Sequence, residues 1–199
     1  VRELDRPQRK GRGNLDHDLP EGRRSLETVQ LKRRSALGAG AGLLALGCVL
    51  GILGGAVWAL VRPAYVGQVE DSAVQVDQAL SPANVEFVGY GSFALLTALA
   101  GVIVAAAAVR ATHKGKTAGG VAWLLWAGVV SAIAAFALYV FGDWFVALAH
   151  PLPDPEALAN GDSVTLVPPV RPGAAWAAGP FAAVLVCWIT NLLAYSQEG

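Results

Sequence analysis

The sequence is poor in the residue types from which catalytic and metal sites are built. It has no methionine, two cysteines and three histidines. Cys48 and Cys187 lie inside separate apolar runs, so neither a disulfide framework nor a metal-binding cysteine pair is indicated. His17, His113 and His150 are far apart in the sequence, and no phosphate-loop, serine-hydrolase or zinc-protease pattern occurs. We therefore predict no catalytic residue, no cofactor and no metal site, and a protein that is not an enzyme.

Charge is also scarce, and the charged residues leave four long runs empty. Only 15% of the residues are charged and 54% are hydrophobic, a balance too apolar for a soluble domain of 199 residues. Residues 36–61, 87–109, 119–141 and 174–195 contain no charged side chain, and the third run can extend to 149. A bilayer core of about 30 Å requires about 20 helical residues. The sequence therefore predicts an all-α integral membrane protein with four transmembrane helices.

The distribution of basic residues predicts the orientation of these helices. Thirteen of the 15 Lys and Arg residues lie in residues 1–35 or between the second and third spans. The outer loops, 62–86 and 142–173, hold only Arg62 and Arg171. By the positive-inside rule, both termini and the middle loop are cytoplasmic. The excess of Arg over Lys, the absence of Met and the valine at position 1 suggest a GC-rich bacterial genome, so we expect an actinobacterial plasma membrane.

The segment before the first span is a basic tail. Residues 1–34 mix charge with Gly and Pro and have few apolar side chains, so we expect them to be partly disordered, with a helix capped at Ser25 leading into the first span. Attraction to anionic lipid is the simplest role of the tail, and docking to a larger protein is the alternative. Interspersed acidic residues argue against nucleic-acid binding. Residues 196–199 form a short cytoplasmic C-terminus.

The outer loops contain β-forming segments. Residues 65–69 and 73–77 flank a polar centre and favour a hairpin, and residues 163–167, followed by two prolines, offer a third strand. An isolated hairpin is marginally stable, which favours a three-stranded extracytoplasmic cap. A bare hairpin or two irregular loops are the alternatives.

The order of these features resembles a known family. A basic tail, a span ending "VRPAYVG", an inner loop "RATHKGKT" and an outer loop with "VTLVPPV" are arranged as in an actinobacterial family of four-span membrane proteins catalogued as a domain of unknown function. The resemblance covers residues 33–195 by layout. It implies the four-span fold and the bacterial lineage, and it brings no catalytic residues.

Asp143 is the one acidic residue that a span could submerge. If the third span runs on to residue 149, the carboxylate of Asp143 lies inside it, and an acid at that depth is functional by default. Arg62, Arg171 and His150 are its candidate partners. In the simpler interpretation, Asp143 lies at the outer headgroup level and is hydrated.

Small residues recur at four-residue or near four-residue spacing on three spans. Such faces allow helix backbones to approach closely, either within one bundle or against another membrane protein. The residues concerned are Gly47, Gly51 and Gly55 in the first span, Ala94, Ala98 and Gly101 in the second, and Gly179, Ala183 and Cys187 in the fourth.

These features predict a non-catalytic function. We expect an accessory or assembly subunit that packs against other integral membrane proteins, with a respiratory-chain supercomplex as the first host to consider. The alternative is a small transporter or lipid-handling protein that uses its outer face and Asp143. A polar cavity reaching the middle of the bundle would favour the alternative.

Overall fold

A computed structural model of the chain describes residues 21–70, 73–151 and 158–196. It is mostly helical, with four long helices and a small antiparallel sheet. The basic tail predicted to be partly disordered covers residues 1–34, and of these residues 1–20 lie outside the described part of the chain, as do residues 197–199 at the C-terminus. In chain order the elements are α1 (Glu21–Val61), β1 (Tyr65–Glu70), β2 (Ala73–Val76), α2 (Val85–His113), α3 (Val121–Ala149), β3 (Ser163–Leu166), a 3₁₀ turn (Gly173–Ala177) and α4 (Ala178–Ser196).

The prediction of four apolar helices is confirmed, since each is long and apolar enough to cross a membrane. Three helices are longer than predicted, and α2 runs from Val85 to His113 where residues 87–109 were expected. α1 has 41 residues and begins at Glu21, so Ser25 lies inside the helix and is not its N-cap. α3 continues through Gly142 and Asp143 to Ala149, because its last turns are apolar and Pro151 is the first residue that cannot extend the helix.

The sheet lies at one end of the bundle, which we call the cap end; the opposite end, with the loop between α2 and α3, is the basic end. The strand order is β2-β1-β3, and both pairs are antiparallel. The predicted three-stranded sheet is thus confirmed, with Gly67 at its centre opposite Val76 and Val164. β1 is joined to the next loop by Ser81, whose hydroxyl accepts a hydrogen bond from the Val66 amide.

α1 and α3 run in the same direction and are in close contact along the three glycines of α1. A Cβ atom added at Gly51 would lie 2.6 Å from the Ala134 carbonyl oxygen. One added at Gly55 would lie 2.8 Å from both the Leu138 carbonyl oxygen and the Gly142 nitrogen. These distances are too short for a side chain, so the two backbones touch only because Gly47, Gly51 and Gly55 have none. We call this contact the α1–α3 seam.

A second close contact joins α2 and α4. Gly101 on α2 faces the backbone of Gly179, and a Cβ atom added at Gly179 would lie 2.8 Å from the Thr97 carbonyl oxygen. Ser131 of α3 reaches the same place, and its buried hydroxyl has no hydrogen-bond partner among the described residues. The middle of the bundle is therefore filled by backbone and small side chains.

Toward the basic end the contact between α1 and α3 changes. Trp126 donates a hydrogen bond from its indole nitrogen to the Gly40 carbonyl, at 3.3 Å. A large side chain therefore replaces the small residues of the seam. Gly38 and Gly42 have no atom within 4 Å of an added Cβ, so the face of α1 that carries these two glycines is open.

The close contact in the α1–α3 seam predicts that adding one methyl group there lowers the stability of the protein. Gly51→Ala places a Cβ against the α3 backbone and should lower the free energy of unfolding by about 1–3 kcal/mol. Thermal unfolding of the detergent-solubilised protein measures the effect. Gly91→Ala is the matched control, because an added Cβ at Gly91 meets nothing within 4 Å, and alanine favours a helix by about 1 kcal/mol. Equal melting temperatures for the two variants would contradict the seam.

Candidate functional site

Arg62 is the first residue after α1 and the most buried charge in the described chain. The Arg62 amide donates to the Trp58 carbonyl at 3.0 Å, so the helical hydrogen bonds continue to Arg62. Pro63 then ends the helix. Only 3% of its side chain is exposed. A cation at this depth is stable only where other groups replace its hydration.

Three groups from different parts of the chain surround the Arg62 guanidinium. One terminal nitrogen donates to Asp143 Oδ1 at 2.6 Å, and the other donates to the Pro168 carbonyl at 2.6 Å. The guanidinium carbon lies 4.4 Å from the centre of the Trp58 ring, a cation–π contact. The Nε atom is buried and has no partner among the described residues. Arg62 thus links the end of α1 to α3 and to the loop after β3.

Asp143 has features of both interpretations, the paired acid inside the span and the hydrated acid at its outer end. It is paired with Arg62, but 41% of its side chain is exposed, so water also reaches the carboxylate. It lines an open cleft of about 300 Å³ together with Arg62, His150 and the β3 segment. Of the three candidate partners, Arg62 binds it and His150 shares its cleft. Arg171 lies elsewhere, beside Glu86 in a separate cavity.

An aromatic cluster packs beneath the ion pair. Trp58 is fully buried and donates from its indole nitrogen to the Gly89 carbonyl at 3.0 Å. Its ring centre lies 5.2 Å from that of Phe93, and Trp176 lies 5.4 Å from Phe93 and 5.3 Å from Tyr139. One residue from each of the four helices or their immediate extensions contributes, so the cluster joins the whole cap end.

The cluster was not predicted. Tryptophan and tyrosine near the ends of spans are typical of the membrane interface, yet Trp58, Tyr139 and Trp176 point into the bundle. Trp58 fits because it packs on Gly142, where a side chain would collide with the indole ring. A usable signal was present in the sequence: Trp58 and Arg62 are four residues apart, which places them on one face of α1.

The predicted small-residue positions lie inside the bundle but away from the ion pair. Gly47, Gly51 and Gly55 are buried in the α1–α3 seam, and Gly101, Ala183 and Cys187 are buried along α2 and α4. Gly179 is buried as well, and Ala94 and Ala98 are half-buried. These faces serve packing within this chain.

The chemistry available at the Arg62–Asp143 pair is electrostatic. A guanidinium stays protonated and offers no proton transfer, and its terminal nitrogens are already bound. In the described ranges, no group of three or more His, Cys, Asp or Glu side chains is placed to hold a metal ion. The pair is built to hold the Pro168 loop and the sheet against the helices.

A scan against protein-family models found no match, and neither a search of curated proteins nor one of solved structures found any. The resemblance to the four-span family stays a prediction.

The geometry predicts that Arg62 and Asp143 stabilise the fold as a unit. Arg62→Met and Asp143→Asn should each lower the melting temperature, because each leaves its partner without a counter-charge. Since Asp143 is 41% exposed, water compensates part of the loss. We expect a coupling energy of about 1–2 kcal/mol, below that of a fully buried pair.

A double-mutant cycle on the solubilised protein measures this coupling. Glu86→Gln is the control, because Glu86 is an exposed acid at the same end of the bundle and does not contact Arg62. If the losses in unfolding free energy of the two single variants add up to the loss in the double variant, the two side chains act independently.

Proposed function

We propose that this chain is a non-catalytic membrane protein that acts as an accessory or assembly subunit and packs against larger integral membrane proteins. The supporting observation is the exposed face of α1. This helix packs on α3 through its glycine face, and Leu43 is buried against the bundle toward the basic end. Its opposite face is open along its full apolar length. The exposed positions recur about every four residues: Leu37, Ala41, Ala45, Val49, Leu53, Val57 and Leu60.

The composition of this face favours a protein helix as its occupant. We call these seven positions the α1 stripe. Toward the basic end it has Ala41 and Ala45 after Leu37, and the two alanines allow a neighbouring backbone to approach closely. Toward the cap end it consists of Leu and Val. In lipid, close packing supplies most of the attraction between helices, and small residues increase it. A helix from another membrane protein fits such a surface.

The length of α1 supports the same role. Its 41 residues span about 60 Å, twice the thickness of a bilayer core. The segment between Glu21 and Lys32 therefore extends beyond the apolar part as a continuous helix with basic residues. An arm of this kind can reach a partner outside the membrane while the α1 stripe contacts it inside.

The charged site is consistent with a structural role. Arg62 is held by Asp143, by Pro168 and by the ring of Trp58, which fixes the cap to the bundle. The cavities described here open at the ends of the bundle, and its middle is filled by the contacts of Gly101, Gly179 and Ser131. A rigid module with a fixed cap suits assembly better than transport.

The proposal includes a location and a host. The chain resides in a bacterial plasma membrane with its basic end in the cytoplasm, following the distribution of Lys and Arg. A respiratory-chain supercomplex is the first host to test. Attraction between the basic tail and anionic lipid of the cytoplasmic leaflet favours the same orientation.

Site-specific crosslinking in intact membranes tests the partner. A photo-crosslinking amino acid at position 45 should give one discrete product with a larger integral membrane protein. Ala45→Trp should then lower the amount of that protein purified with the chain about tenfold, which is a loss of about 1.4 kcal/mol. Co-migration with cytochrome absorbance on a native gel would identify a respiratory host.

Ala106 provides the matched control, because it is an exposed alanine on α2 near the same depth but outside the α1 stripe. The crosslinker at position 106 should capture no such partner, and Ala106→Trp should leave co-purification unchanged. A partner-free preparation of native size, or crosslinks to a second copy of this chain alone, would overturn the accessory role.

The cleft beside Asp143 supports a second candidate, a small transporter or lipid-handling protein. The observation in its favour is the exposed part of the Asp143 carboxylate, which shares the cleft of about 300 Å³ with His150. His150→Ala leaves the Arg62–Asp143 pair intact. A growth or uptake defect in this variant, with partner binding unchanged, would favour the second candidate.

A further inference from the structure

A groove opens between α1 and α2 at the basic end. Its volume is about 480 Å³, and its walls come from both helices and from Trp123 of α3. The groove exists because Gly38 and Gly42 have no side chains and the bundle does not close over them. The small residues Ala39 and Ala107 line it as well.

The lining changes from cationic to apolar along the groove. Arg110, Lys114 and Lys116 lie at its mouth, and all three are exposed. Gly42, Leu43 and Leu46 line its deeper part. Ser35 and Leu46 are 11 positions apart on α1, which is about 16 Å along the helix axis. That distance matches a phosphate headgroup with its glycerol and the first part of an acyl chain.

A second cavity lies next to the cationic mouth of the groove. Its volume is about 560 Å³, it is lined by Arg33, and it shares Ser35 and Lys116 with the groove. The Ser35 hydroxyl donates to the Lys116 carbonyl at 3.3 Å, which joins the loop to α1 between the two cavities. Four cations therefore line two adjacent cavities.

The residues that line the groove and the second cavity are basic, polar or apolar. Neither cavity is lined by an acidic residue, and the one ion pair among the described residues is at the opposite end. Cations at the mouth of an apolar groove fit an occupant with a negative headgroup and a hydrocarbon tail.

We infer that this groove binds an anionic glycerophospholipid, with the phosphate among Arg110, Lys114 and Lys116 and one acyl chain along Gly38, Gly42 and Leu46. Basic pockets between helices at a membrane surface favour such headgroups. The site is distinct from the basic tail, since its residues belong to the bundle. It rests on the insertion of the chain into a membrane, which is part of the proposed function, but it does not require a protein partner.

Native mass spectrometry of the purified full-length chain tests the site. The detergent-solubilised protein is titrated with phosphatidylglycerol and, separately, with zwitterionic phosphatidylethanolamine. We expect one phosphatidylglycerol molecule to bind preferentially. The double variant Arg110→Gln/Lys114→Gln should weaken this binding about 25-fold, about fivefold for each cation removed.

Arg34→Gln is the charge control. Arg34 lies at the same end of α1 and is exposed, but it lines neither cavity. Its replacement should change phosphatidylglycerol binding less than twofold if the groove is the site. An equal loss in the Arg34 variant would show diffuse attraction and overturn the proposal.

A steric variant tests the acyl-chain part without changing charge. Gly42→Leu fills the groove, whereas Gly91→Leu adds the same side chain at another open glycine of the described chain. Only the former should weaken phosphatidylglycerol binding, and neither variant should lower the melting temperature, because leucine also favours a helix over glycine.

Equal binding of the two lipids, or full binding by Gly42→Leu, would overturn the site. These outcomes are independent of the crosslinking result, because the titration contains no other protein. A chain that cannot be recovered from membranes at all would instead reject the proposed membrane function.

Discussion

The close approach of α1 to α3 determines how the rest of the structure is arranged. Gly55 rests on the backbone of Leu138 and Gly142, and this contact sets the position of α1 along α3. One turn further, Trp58 packs on Gly142, and one turn beyond that Arg62 meets Asp143. A side chain in the seam would separate the helices and displace both contacts. The buried cation is therefore stable because three glycines upstream allow the backbones to touch.

The two ends of the bundle differ because α1 is one continuous helix with two kinds of contact. At the cap end it meets α3 through glycine, which brings four elements together around the aromatic cluster and the ion pair. Toward the basic end Trp126 lies between the same two helices and bonds to Gly40. The bundle is therefore closed at the cap end and grooved at the basic end. The rigid cap and the open groove therefore follow from which α3 residues face the glycines of α1, small ones at the cap end and Trp126 toward the basic end.

Hydropathy and strand propensity were enough to predict the coarse fold. Four uncharged runs gave four helices, and the β-forming segments at 65–69, 73–77 and 163–167 gave the three-stranded sheet, because both signals are local in sequence. The choice of Arg62 over Arg171 as the partner of Asp143 is not local. It depends on the position of α1 along α3, which hydropathy does not encode. The aromatic cluster was not predicted for the same reason. From the sequence alone, a tryptophan at the membrane interface cannot be distinguished from one that packs on Gly142.

Small residues alone do not reveal whether a helix face is meant for its own bundle or for another molecule. In this chain Gly47, Gly51 and Gly55 are covered by α3, whereas Gly38 and Gly42 are open. Ala41 and Ala45 are exposed and lie three residues from these two glycines, so they are their neighbours on the helix surface. The proposed lipid groove and the α1 stripe thus share an edge. A lipid seated on Gly38 and Gly42 would form part of the surface that a partner helix meets, which makes the lipid a component of the interface.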